Sequence, residues 1–413
     1  MVTETAALRN VDDHLSRILA VVAPLPAYDQ PLLEALGLPL GEDVRAAVDL
    51  PNFDNSAMDG YAVRAVDVAA ATGEKPVRLP VVGEVAAGQN RAYALSPGAT
   101  LRIMTGAAMP HGADAVVPLE WTDQGVAVVD ISQPAASGTY VRRQGEDVRK
   151  GDLVVEEGTI VGPREVGLLA AVGRAQVRTR PRPRVVVVST GNELREPGTS
   201  LALDSIYDSN SYLVAAAARA AGAIAYRVGI VPDSPREFAD ALSDQLVRAD
   251  LVVTTGGVSK GAYDIVKDVL SRVGTVDFYD VAMQPGKPQG FGTVGEDATP
   301  ILTLPGNPVS TYVSFEVFCV PAIRRMTGRM PYQRPLVQAT CTEAISSVPG
   351  RRQFVRGRFR VDTGGARVTP FGGHGSHLVG GLAASNCLVV VPEDTTAIDA
   401  GETVEVMALD RDY

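Results

Sequence analysis

Three short stretches combine glycine or small hydroxyl residues with a helix start, each directly after an apolar run. STGNE (189–193) follows VVVV, GGVSKGAYD (256–264) follows LVVTT, and PGNPVS (305–310) follows ILTL. Continuous apolar runs of this length read as strands buried on both faces, and ligands of an open α/β sheet bind beyond the carboxyl ends of its strands. Amides at a helix start lack intrahelical partners and sit at the positive end of the helix, which suits phosphate. Gly256 and Gly257 would let a ligand approach the backbone closely. With Ser189, Thr190, Gly191 and Ser259 they are the expected ligand-binding positions of the three loops. The chain contains no GxxxxGK[ST] loop and no GxGxxG spacing, so neither a Walker A nor a Rossmann fingerprint explains them.

Acids punctuate the same edge: Glu193, Asp233 and Asp264. Singly, each has a structural reading. Asp233 precedes a capped helix, and Asp264 complements the first turn of another. Together, beside loops suited to phosphate, they imply an intervening Mg²⁺, since bare carboxylates would repel the ligand. The basic counterpart is Lys287 in QPGKP (284–288), a rigid turn poorly suited to a merely solvating lysine. HGSH (374–377) holds two histidines three residues apart, read as structural. No Ser-His-Asp or Cys-His set can be argued from spacing.

A further stretch, PNFDNSAMDGYAVR (51–64), packs acids, amides and glycine together without a clean helix or strand period. Its composition alone favours a loop, because Asp, Asn and Gly favour turns.

The elements that must position these residues follow from hydrophobic spacing. Val11, Leu15, Ile18, Leu19 and Val22 mark an amphipathic helix at the start, and PLLEALG (31–37) is expected to form a second. Residues 77–145 alternate short Val-rich runs with Gly, Pro and Asn turns, an all-β module. GPREVGLLAAVG (162–173) returns to helix with Pro163 at its first turn. From 184 to about 328 strand, loop and helix repeat. YLVAAAARAAG is expected to start from an Asn210 cap, and Ser234 and Glu237 stand in capping-box spacing. Residues 332–413 revert to β. The arginines in RTRPRPR (178–184) read as a solvated linker.

Composition narrows the function classes. A length of 413 residues suggests two to four domains. A net charge of −10 argues against a nucleic-acid binder. Three widely spaced cysteines suggest neither a disulfide framework nor a zinc cluster, so a reducing compartment is expected. The N-terminus lacks a basic start before an apolar run, and the longest apolar region (211–231) is broken by Arg219 and Arg227. The expected location is the cytoplasm, with no membrane span.

FDNSAMDGYAVR, RIMTGA, RRQGEDV, STGNEL, TTGGVSKGAYD, PGKP and LPGNPVS, in this order, resemble the molybdopterin molybdenumtransferase family, that of bacterial MoeA and the gephyrin E-domain. With GHGSH the resemblance covers nearly the whole chain. It implies an elongated homodimer of multidomain subunits, α/β plus β. Residues 1–50 and 146–180 would be helices and linker, 51–145 the β-module, 181–330 a mostly parallel molybdopterin-binding α/β domain, and 331–413 a β-barrel-like domain. The implied reaction inserts molybdenum from molybdate into adenylylated molybdopterin and releases AMP. Pterin and molybdate would be its small-molecule partners, with other molybdenum-cofactor biosynthesis proteins as further ones.

Residue by residue, the resemblance places important acids at Asp59, Asp147, Glu193, Asp233 and Asp264, and a threonine at Thr105. It places loop prolines at Pro305 and Pro308, and molybdate contacts at Lys287, Ser310, Arg351 and Ser376. Glu193 and Asp264 would hold Mg²⁺ on the pyrophosphate. Many members carry lysine where Gln284 stands, so one oxyanion-binding charge is missing here. Asp59 is expected to serve the partner subunit's crevice.

Overall fold

The computed structural model describes residues 8–88, 92–256, 263–373 and 375–410, the side chains of 263–265 excepted. The chain divides into two compact units, residues 29–179 and the remainder.

The larger unit is built on a six-stranded sheet. Its strand order is Ile224–Arg227, Arg184–Ser189, Leu251–Thr255, Thr299–Leu304, Pro288–Val294, Asp277–Asp280. The first four strands run parallel, Pro288–Val294 runs against them, and Asp277–Asp280 pairs antiparallel with Pro288–Val294. The valine run explains the central position of Arg184–Ser189. Val185 and Val187 enter one core, with Val214 of the Asn210–Ala220 helix and Leu15 and Ile18 of the first helix. Val186 and Val188 enter another, with Phe238 and Leu242 of the Pro235–Leu246 helix and Val266 and Leu270 of the Tyr263–Val273 helix. A strand buried on both faces has no room for polar alternation.

Local chemistry sets the helix ends. Asn10 accepts from the Asp12 amide at 2.7 Å to open the first helix, Val11–Val21. Ser234 accepts from the Glu237 amide at 3.5 Å, with Pro235 at the first helical position. The expected Asn210 cap is corrected. Asn210 is itself helical, and the Ser211 amide is taken by Asp208 Oδ1 at 3.0 Å.

Five strands of the C-terminal segment close into a barrel. Arg352–Asp362 pairs with Gly365–Pro370, which pairs with Leu336–Cys341, then Thr403–Ala408, then Cys387–Val391, which returns to Arg352–Asp362. Closure leaves no free edge on this small sheet.

In the unit of residues 29–179, five strands form one sheet in the order Ala115–Pro118, Gly60–Val63, Thr100–Ile103, Val77–Val85, Val128–Ile131. Two expectations fail here. PLLEALG is a run of turns: the Gly37 amide donates to Val161 O at 2.8 Å and Leu40 to Thr159 O at 2.9 Å, pairings a continued helix would forbid. PNFDNSAMDGYAVR is not simply a loop either, since its Gly60–Val63 portion is a central, wholly buried strand. A β-carbon on Gly60 would lie 2.1 Å from Val117 O, so the close strand approach requires glycine.

Candidate functional site

The strand order reverses direction at Arg184–Ser189: the chain moves first to Ile224–Arg227 on one side, then to Leu251–Thr255 on the other. Such a switch point opens a crevice at the carboxyl ends of the strands. The loops after Arg184–Ser189, Leu251–Thr255 and Thr299–Leu304 meet there. The Thr190 amide donates to Thr255 O at 3.3 Å. Gly256 has φ +86°, and a β-carbon on it would stand 2.7 Å from Thr190 O. One on Gly306 would stand 3.5 Å from Gly256 Cα. The start of the Asn210–Ala220 helix is tied to the third loop as well, because Asn210 Nδ2 donates to Gly306 O at 2.6 Å.

Three polar atoms here are buried without a protein partner among the described residues: Thr190 Oγ1, Thr255 Oγ1 and Asn210 Oδ1. Ser189 is occupied instead, donating to the buried Asp208 at 3.2 Å. Gly191 is buried and lies against the Glu193 carboxylate, which is exposed and has no ion pair among the described residues. Asp233 closes the first loop by a reciprocal pair. Its carboxylate accepts from the Asn192 amide at 3.3 Å, and its amide donates to Asn192 Oδ1 at 3.2 Å. Its observed contacts are therefore those of a loop tie. Gly257 and Ser259 lie outside the described residues, as does the Asp264 side chain.

In the third loop Pro305 O accepts from Thr311 Oγ1 at 2.6 Å, and Pro308 opens the helix whose first turn buries Ser310. The barrel delivers Ser376 to this loop: Asn307 Nδ2 donates to Ser376 Oγ at 3.0 Å and the Val309 amide to Ser376 O at 3.0 Å. The PGKP turn is anchored on the barrel too, with Met283–Gln284 paired to Arg352–Gln353. Lys287 Nζ lies 2.7 Å from Asp280, both half-exposed. Arg351 is partly exposed, and its side chain makes no ion pair among the described residues.

Arg356 was missed by the sequence reading. It is 3% exposed, and its guanidinium donates to the carbonyls of Leu378, Gly372, Gly373 and Gly375 at 2.7 to 3.2 Å. It organises the loop that carries Ser376. Burial depresses its pKa. The only sequence hint is an arginine on a β-strand pattern beside a glycine-rich loop that must have its carbonyls satisfied. Asp208 and Asn210 were also missed as site residues; the hint is the DSN run before a helix.

Asp59, Thr105 and Asp147 belong to the unit of residues 29–179. The antiparallel pair Gly60↔Ile103 sets Asp59 beside the turn that follows Ile103. Asp59 Oδ1 accepts from both the Thr105 amide and the Thr105 hydroxyl at 2.7 Å. Those two bonds, the amide's first, hold its carboxyl below the usual range. Asp147 is exposed on the RRQGEDV turn. That turn is clamped by Asp54, which accepts from the Gln144 amide at 2.8 Å and Arg143 at 2.7 Å, and by Asp49, which accepts from Gln144 Nε2 and the Lys150 amide at 2.7 Å.

This geometry meets its decisive comparison in the family profiles. Residues 9–173 match the MoeA N-terminal region (domain I and II), 186–325 a probable molybdopterin binding domain, and 338–409 the MoeA C-terminal region (domain IV). The chain belongs to the MoeA family. A protein of Mycobacterium tuberculosis named molybdopterin molybdenumtransferase 2 is 45% identical over 408 residues, covering 97% of this chain and 100% of its own. One of Haemophilus influenzae, named molybdopterin molybdenumtransferase, is 37% identical, covering 91% and 92%. A molybdopterin biosynthesis MoeA protein of Pyrococcus horikoshii superposes with a TM-score of 0.86 at 31% identity, covering 98% of this chain and 100% of that one. This MoeA-family chain thus has a role in molybdenum cofactor biosynthesis, as a transferase. No helix among the described residues is long and apolar enough to cross a membrane.

Proposed function

We propose that the chain inserts molybdenum from molybdate into adenylylated molybdopterin, with cleavage of the phosphoanhydride and departure of AMP. The observation that carries this is the meeting of three glycine-bearing loops at the switch point of a sheet matched to molybdopterin binding. The reaction needs little from side chains beyond binding and alignment, so positioning and preset electrostatics would supply much of the acceleration. The buried hydroxyls of Thr190 and Thr255 are free to bond a ligand. Lys287, Ser310 and Ser376 would orient the molybdate dianion, with Arg351 at its rim and Lys287 shared with Asp280.

The donors for a Mg²⁺ ion fit in part. Glu193 offers a carboxylate with no ion pair, and no cluster of three metal-ligating side chains occurs among the described residues. Glu193 and Asp264 would hold the ion, which would neutralise charge on the pyrophosphate when bound. Asp233 would act by holding the first loop.

Asp59 and Asp147 would serve as carboxylates for a second copy of the chain in a homodimer. The cytoplasm is the proposed location. Single-turnover release of AMP from adenylylated molybdopterin tests the core of this reading: Asp264→Ala should abolish it, and unchanged release would overturn the assignment. Mixed dimers of Asp59→Asn and Asp264→Ala chains test the shared site, which predicts recovery of one working centre.

A further inference from the structure

Asp208 and Asn210 join the first crevice loop to the third, and the roles given to the crevice acids and loops do not account for them. Asp208 is 1% exposed. Its Oδ1 accepts from Ser189 Oγ at 3.2 Å and from the Ser211 amide at 3.0 Å, and its Oδ2 accepts from Ser211 Oγ at 2.5 Å. A helix cap requires only the bond from the Ser211 amide. The bond from Ser189 additionally ties the helix start to the end of the central strand, where the first loop begins.

Asn210 stands between these anchors and the third loop. Its Nδ2 donates to Gly306 O at 2.6 Å, and only the amino end of the amide can serve a carbonyl. The amide is therefore fixed in orientation, which leaves Oδ1 as the end that looks for a partner. That oxygen is buried with none among the described residues. Thr190, 5% exposed, and Thr255, 1% exposed, each present a hydroxyl in the same condition.

A hydroxyl can serve a donor or an acceptor, but an amide oxygen only accepts. The missing partner of Asn210 must then carry an N–H or O–H. Ionised phosphate and molybdate oxygens carry none. A pterin ring does, with its amino and ring N–H groups; the nucleoside of AMP carries hydroxyl and amino donors too, so AMP is the control ligand that separates the two.

We propose that Asn210 Oδ1 accepts a hydrogen bond from the pterin portion of the substrate, and that Asp208 is the positioning residue that holds Asn210 in place. This rests on the reading of the crevice as the molybdopterin site. Asn210 then discriminates between the two ends of the substrate, binding the ring and ignoring the phosphates.

Equilibrium titration of the full-length protein with metal-free molybdopterin, with AMP and with molybdate separates the possibilities. Asn210→Ala removes the bond at Oδ1 together with the Nδ2 donation to Gly306 O, and should weaken molybdopterin binding about tenfold or more, beyond any loss of AMP or molybdate binding. Asp208→Asn should weaken the same ligand, and adding it to Asn210→Ala should cost nothing further, because one acts through the other. Should Asp208→Asn lose its circular-dichroism signature, Ser189→Ala removes a single bond of Asp208 and should weaken molybdopterin alone, by about threefold. Unchanged molybdopterin affinity in Asn210→Ala, or equal loss for AMP or molybdate, overturns the role of Asn210. Additive losses in the double variant, or no effect of Ser189→Ala, overturn the role of Asp208. Wild-type protein that does not bind molybdopterin overturns the crevice reading itself, an outcome distinct from wild-type binding with an unaffected variant.

Discussion

Thr190 places its carbonyl oxygen where a β-carbon of residue 256 would have to stand, 2.7 Å away, so the first and second crevice loops can touch only because residue 256 is Gly256. The same residue has φ +86°, a conformation that L side chains rarely adopt.

Gly256→Ala therefore meets two penalties, left-handed backbone strain and a clash with main chain that cannot swing aside. A destabilisation of roughly 1–3 kcal/mol is expected from the strain class alone. Thermal unfolding should show the lowered midpoint, and molybdopterin titration a weakened crevice. A variant with wild-type midpoint and affinity would contradict the close loop packing.

Thr105→Ala tests the Asp59 turn. The carboxylate is stabilised in its ionised form by the Thr105 amide first and the hydroxyl second. Removing the hydroxyl leaves the amide bond, so the Asp59 pKa should rise part of the way to the ordinary carboxylate value. Carboxyl-carbon NMR titration of wild type and variant reads the shift directly. Transferase activity should fall with it, with little change in the melting midpoint, since the residue pair is on the surface.

How far the sequence carried these arguments depended on where each hydrogen bond went. Val185–Val188 reads as a doubly buried strand because every residue is apolar, and the three loops after such strands were legible at once. The antiparallel strands Asp277–Asp280 and Pro288–Val294 were not: the first is four residues bounded by acids, and Gly290 and Gly292 interrupt the apolar pattern of the second. Those glycines admit close neighbours: a β-carbon on Gly292 would lie 2.4 Å from Thr275 O. PLLEALG carried helical spacing, yet it stops after local turns because the Gly37 amide is claimed by Val161, more than a hundred positions away. Asp59 needed the strand register to meet Thr105. Asp208 and Arg356 are satisfied by partners that no local period reveals.

Arg356→Lys separates charge from geometry in the barrel loop. One planar guanidinium serves four carbonyls between residues 372 and 378, and an ammonium has three donors in a different arrangement. The loop should loosen, with faster amide hydrogen exchange over residues 375–378. Since Ser376 depends on that loop to meet Asn307, activity should fall about tenfold or more while the barrel strands keep their protection. Exchange and activity equal to wild type would remove Arg356 from the site's support.

His14 makes the fold itself sensitive to acid. It is 1% exposed, its ring packs edge-on against Phe318 at 4.8 Å between centroids, and its Nδ1 has no partner among the described residues. Burial, with the charges of Arg9 and Arg17 added, pushes its pKa down to about 4 from 6.5. The folded state thus prefers neutral imidazole, while the unfolded chain takes up a proton below about 6.5. Between these values the unfolded state binds more protons, so stability falls as pH falls from about 6.5 towards 4 and levels below that. The penalty is absent above the unfolded value. Denaturant unfolding at pH 7.5 and pH 4.5 should show a loss for the wild type that His14→Phe reduces, since the ring packs on the Phe318 and Tyr279 rings and phenylalanine cannot titrate. An unchanged pH dependence in His14→Phe would assign the acid sensitivity to other groups.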